Sequence, residues 1–127
     1  MQAGQRILLF LLLALTAVRA HAATWHVSND PTIRDKVDFA AVQAAIDAAT
    51  DGDTIIVHPG FYPGTIRFNG KVLHLRSSAP GVREVTETTI LHGSFAGSTI
   101  RFLGTEHGAI VEGFTITGGS AENGGGI

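Results

Sequence analysis

The sequence predicts a mainly β protein built as a solenoid, with short strands stacked coil upon coil behind one amphipathic helix. Three observations carry this. Apolar residues change period once, from helical spacing over 39–49 to alternation in several short segments beyond Asp53. The segments after Asp53 are short and separated by glycine, proline or asparagine. One of them also returns: Gly64-Thr65-Ile66-Arg67-Phe68 is echoed by Gly97-Ser98-Thr99-Ile100-Arg101-Phe102. Self-similarity at a few tens of residues marks units that bury their apolar side only against their neighbours.

The chain has 127 residues, room for a single domain. Residues 1–22 read as a secretory leader rather than as fold. A short segment ends at Arg6, an apolar run extends from Ile7 to Val18, and Ala20-His21-Ala22 offers small residues where a signal peptidase reads. That run is too short to span a bilayer stably, and no second one follows it. Cleavage after Ala22 removes Arg6 and Arg19 and leaves 105 residues, with seven basic side chains against eleven acidic ones, a net charge of −4. An exported, mildly acidic chain has little attraction for nucleic acid or an anionic membrane. The absence of cysteine removes disulfide scaffolds, thiolate metal sites and thiol nucleophiles. The expected location is secreted, periplasmic or on the cell surface.

Residues 23–36 form a lead-in. Over 39–49, Phe39, Val42, Ile46 and Ala49 recur at helical spacing beside Ala45, predicting an amphipathic helix of about three turns. Asp38 stands where an N-cap belongs, and Gly52 where the helix would stop. Strands follow at Thr54–His58, Thr65–Phe68, Lys71–Arg76, Thr88–His92, Ser98–Leu103 and Ala109–Thr117, the last broken at Gly113. Ile66 and Phe68 flank Arg67, Leu73 and Leu75 flank His74, Ile100 and Phe102 flank Arg101, and Phe114 and Ile116 flank Thr115. One face of each strand is therefore apolar and the other wet.

Three further runs extend the pattern. They are Val42-Gln43-Ala44-Ala45-Ile46-Asp47-Ala48-Ala49, Asp51-Gly52-Asp53-Thr54-Ile55-Ile56-Val57 and His58-Pro59-Gly60-Phe61-Tyr62-Pro63-Gly64. Together they resemble the N-terminal part of right-handed parallel β-helix proteins of the pectate-lyase-like superfamily. Thr89-Ile90-Leu91-His92-Gly93, Val111-Glu112-Gly113-Phe114-Thr115-Ile116-Thr117-Gly118-Gly119 and Asn123-Gly124-Gly125-Gly126-Ile127 look like coils of its secreted bacterial members. The resemblance covers residues 37–127. It implies two to three coils of a right-handed parallel β-helix, with the helix capping the open first coil. The final glycine-rich run reads as the start of another strand, so the chain is expected to be the N-terminal piece of a longer protein. Its open last coil would favour self-association.

Chemistry is thinly signalled. Family enzymes are lyases and hydrolases of pectin, with their acidic residues on later coils. Glycosidase chemistry needs two facing carboxylates, and beyond Thr88 the strands carry only Glu112. No catalytic residue, cofactor or metal ligand set is expected in this piece. Asp51-Gly52-Asp53 reads as a helix-to-strand turn rather than a calcium loop. The histidines show no paired ligand spacing on one element. Arg67, His74, Arg76 and Arg101 sit at outward positions. They are either a solvated face or a cationic stripe whose guanidinium forks suit the carboxylates of an acidic polysaccharide. Phe61 and Tyr62 are expected to pack into their turn rather than to stack on sugar. The sequence thus points to an exported structural or carbohydrate- and surface-recognition module. The alternative is the non-catalytic start of a polysaccharide lyase or glycoside hydrolase.

Overall fold

The computed structural model describes residues 21–120 and 126–127. All but His21 and Ala22 of the leader lies outside these residues, as do positions 121–125 of the glycine-rich end. The fold is mainly β, and every strand pair in it is parallel.

Among the described residues nine strands form three sheets. The first holds β1 (Thr24–Val27), β2 (Thr54–Val57), β5 (His74–Ser77) and β8 (Ile110–Glu112), in that order. The second holds β3 (Gly60–Pro63), β6 (Thr89–His92) and β9 (Thr115–Thr117). The third holds β4 (Ile66–Arg67) and β7 (Ile100–Arg101). From β2 onward the chain visits the sheets in the same cyclic order, each visit adding one strand beside the last. The sequence echo becomes a spatial one: Ile66 pairs with Ile100 and Arg67 with Arg101. Alternation works as expected inside the ring of sheets. Val27, Ile55, Val57 and Leu75 from the first sheet meet Tyr62 and Leu91 from the second and Ile66 and Ile100 from the third, with Phe68 and Leu73 between them. The break at Gly113 also holds. Gly113 has φ +81°, and a Cβ there would collide with Ser77 Oγ and the Pro80 backbone.

The helix α1 runs Val42–Ala48 and buries Val42, Ala45 and Ile46, with Ala49 just beyond it. It packs against β1, β2 and β4, the first strands of two sheets. Its start corrects the expected cap. Asp38 does not cap the helix, because the unpredicted strand β1 offers better partners. Phe39 bridges Val27 in parallel; Asp38 and Phe39 donate both N–H groups to the His26 carbonyl, the Phe39 carbonyl accepts Ser28 N–H, and Asp38 Oδ2 accepts His26 N–H. Gly52 is likewise not the C-cap. Its N–H bonds the Val72 carbonyl, while Lys71 Nζ donates to the last helical carbonyls, Ile46 at 2.8 Å and Asp47 at 2.9 Å.

The front edge of every sheet is met by polar groups, which matters because unpaired strand edges invite association. Asp38 and Phe39 cover β1. The Gln43 amide imitates a strand at β4, donating Nε2–H to the Arg67 carbonyl at 3.0 Å and accepting Arg67 N–H at 2.8 Å. Asn29 Nδ2 donates to the Phe61 carbonyl on β3 at 2.7 Å. Between β5 and β6 lies a second short α-helix, α2 (Arg83–Thr88), which takes in Thr88, expected to open a strand; it has no buried residue and hence no periodic signal to predict it. Among the described residues no helix is long and apolar enough to cross a membrane.

Candidate functional site

Arg67, His74, Arg76 and Arg101 do not form one stripe. They separate into two pairs on different sheets, because Arg67 and Arg101 belong to β4 and β7 while His74 and Arg76 both lie on β5. The pairs also differ in chemistry. His74 Nε2 lies 2.7 Å from Glu112 Oε1, and Arg76 Nε donates to the Ser77 carbonyl. That half of the set has partners within the fold.

Arg67 and Arg101 are exposed and stand in register on neighbouring strands, about 4.8 Å apart along the sheet. Among the described residues neither is in an ion pair. Like charges directly opposite on adjacent strands repel, so this pair favours an anion lying across it. With Asn69, Phe102 and Leu103 the two arginines border a shallow depression of about 270 Å³. Phe102 was expected to point inward like its counterpart Phe68. It is instead 37% exposed, its ring 4.7 Å from that of the buried Phe68.

The rim of this depression is held by a residue that no spacing rule signalled. Glu106 accepts N–H groups from Gly70, Leu103, Gly104 and Thr105, at 2.8 to 2.9 Å for the shortest bond from each. The Leu103 N–H above all, with those of Gly70 and Gly104, outweighs burial and lowers its pKa from 4.5 to about 2. A carboxylate so enclosed stays ionised and serves as an anchor, tying the loop after β4 to the loop after β7. The signal lies only in the pairing of those loops, not in the Gly104-Thr105-Glu106 string.

The remaining carboxylates follow the same logic. Asp53 is buried and accepts N–H groups from Ala23, Thr50 and the Trp25 indole. Burial opposes its ionisation, but these hydrogen bonds prevail and lower its pKa. Asp51 Oδ1 accepts Val72 N–H at 2.9 Å. Both oxygen sets therefore organise the turn. Among the described residues no three His, Asp or Glu side chains converge. His26 Nδ1 and His58 Nε2 stand 3.1 Å apart on the outer face of the first sheet, and burial, then the His26 charge, lowers the His58 pKa. Tyr62 packs inward as expected and donates its hydroxyl to the His58 carbonyl. Phe61 departs from expectation. Alternation on β3 turns it outward, half exposed.

No protein-family model, curated protein or solved structure matches this chain.

Proposed function

We propose that this chain is an exported right-handed parallel β-helix module that recognises acidic carbohydrate at a surface, with Arg67 and Arg101 as the contacting cations. The cyclic passage through three parallel sheets supports the β-helix, and parallel crossovers are right-handed in nearly all proteins. The leader-like pattern of residues 1–22, an apolar run followed by Ala20-His21-Ala22, supports export. The single observation that carries the binding role is the in-register arginine pair, exposed and without an ion-pair partner among the described residues. Successive coils repeat at about the strand spacing, so a linear polyanion lying along the stack meets one cation per coil. Guanidinium groups bind carboxylates in a planar two-bond fork. His74 and Arg76 contribute less, since Glu112 neutralises their neighbourhood.

The test is binding of polygalacturonate by calorimetry at low salt. The double variant Arg67→Ala/Arg101→Ala should weaken binding about tenfold and flatten its salt dependence, while His74→Ala changes it little. Equal binding by wild type and double variant would remove the arginine pair from the reading. Growth of an absorbance band from unsaturated uronides during the titration would instead favour a lyase.

A further inference from the structure

Strand β6 ends at His92, and the chain leaves it through Gly93-Ser94-Phe95-Ala96-Gly97 towards β7. Ser94 and Phe95 both adopt the left-handed conformation, at φ +55° and +57°. For a bulky residue with a Cβ that conformation is unfavourable, and it persists only where the surroundings impose it. Here Phe95 N–H donates to the Gly118 carbonyl at 2.7 Å, Ser94 N–H to His92 Nδ1 at 3.0 Å, and Ala96 N–H to the Gly93 carbonyl at 3.2 Å. The strain buries nothing. It displays a ring, for Phe95 is 73% exposed.

Phe95 is not alone. Phe61, 50% exposed, projects from the outer face of the same sheet, and His92 lies between the two. The imidazole centroid is 5.1 Å from the Phe61 ring and 5.2 Å from the Phe95 ring, edge-on to the latter. The imidazole is held in place from below as well, since a Cβ on Gly118 would run into it. Because Nδ1 accepts the Ser94 N–H, a neutral His92 carries its proton on Nε2. That N–H belongs to a ring held beside two exposed aromatic rings and packed against Gly118.

We infer that Phe61, His92 and Phe95 form a subsite for a neutral β-linked hexopyranose, such as a glucose unit of a β-1,4-glucan. Equatorial hydroxyls leave such a ring with apolar C–H faces that lie against an aromatic ring, while a nearby N–H can donate to a hydroxyl at the rim. Three side chains are far too few for a stable protein interface, which needs about 800 Å² from each partner. The subsite holds no carboxylate and no guanidinium, unlike the arginine pair on the third sheet. The inference extends the carbohydrate reading to a second place and a different ligand, and the two fail separately.

The experiment titrates the purified chain with cellohexaose, using calorimetry and saturation-transfer NMR. Wild type should bind, with saturation concentrated on the axial C–H protons of one sugar face. Phe61→Ala should weaken binding about tenfold. Phe95→Gly should weaken it as much and yet raise Tm, because glycine takes the left-handed conformation without strain. A purely structural Phe95 would lower Tm when removed. Arg101→Ala should leave cellohexaose binding unchanged, so loss of polygalacturonate binding in the arginine variants does not touch this result. Folded wild type showing no transfer to cellohexaose, or Phe95→Gly binding it as well as wild type, would overturn the inference.

Discussion

The first and last turns of the stack use the same alternation to different effect. In the first sheet Ile55, Leu75 and Val111 occupy one inward row, in register from strand to strand. Ile55 and Leu75 are fully buried, whereas Val111 is only half-buried. The second sheet repeats the gradient, with Tyr62 and Leu91 buried and Ile116 half-buried. An inward position thus acquires its burial from the layers on both sides of it. The first turn has one such layer in β1 and α1, whose Val27, Ala45 and Ile46 are fully buried. Among the described residues no strand pairs with the far side of β8 or β9.

That gradient should appear in stability. Leu75→Ala should cost about 2–5 kcal/mol, since it opens a cavity in a closed core. Val111→Ala, losing two methyl groups that are half in water already, should cost about 1 kcal/mol. Urea unfolding of the two variants checks this, and equal costs would show that the last turn is as well packed as the first.

Glu106 gives the next effect, because it couples the loops of the first and second turns. Its folded pKa is depressed, so the unfolded chain binds the proton more readily at acid pH. The stabilisation is complete above the ordinary value of 4.5 and disappears as pH falls towards about 2. Glu106→Gln should lower Tm at pH 7 and flatten the dependence of Tm on pH across that window. A variant whose acid limb matches wild type would mean that the anchor does not join the two turns.

The smallest effect belongs to the front edge. Gln43→Ala removes both amide bonds to the Arg67 backbone, but water can replace them, so the loss should be about 1 kcal/mol. Amide exchange sharpens the measurement. The Arg67 N–H should exchange faster in the variant, while the Leu75 N–H in the protected centre should not.

Several elements were legible in advance because their signals are local. The period-two runs placed Ile66, Leu75 and Ile100 on one side of their strands, and the structure buries all three. The repeated Ile-Arg pairs became register partners. The helical stripe of Val42, Ala45 and Ile46 closes over the first strands. Two strands were missed for reasons equally local. β1 is four residues without a clear alternation, and β3 is bounded by Gly60 and Pro63, residues that read as turn. Aromatics beside a tight turn usually pack into it, but the pleat of β3 turns Phe61 out.

By itself the sequence determined which residues alternate, where glycines interrupt them and which segments repeat, since each is a property of neighbours along the chain. Only the tertiary structure decided that Asp38 covers a strand edge, that Glu106 gathers four backbone N–H groups, and that three arginines and His74 divide between two sheets. Those outcomes depend on which backbone groups are left without a partner when distant segments meet. A polar side chain goes to the group that most needs it, and the spacing of residues holds no record of where that group will be.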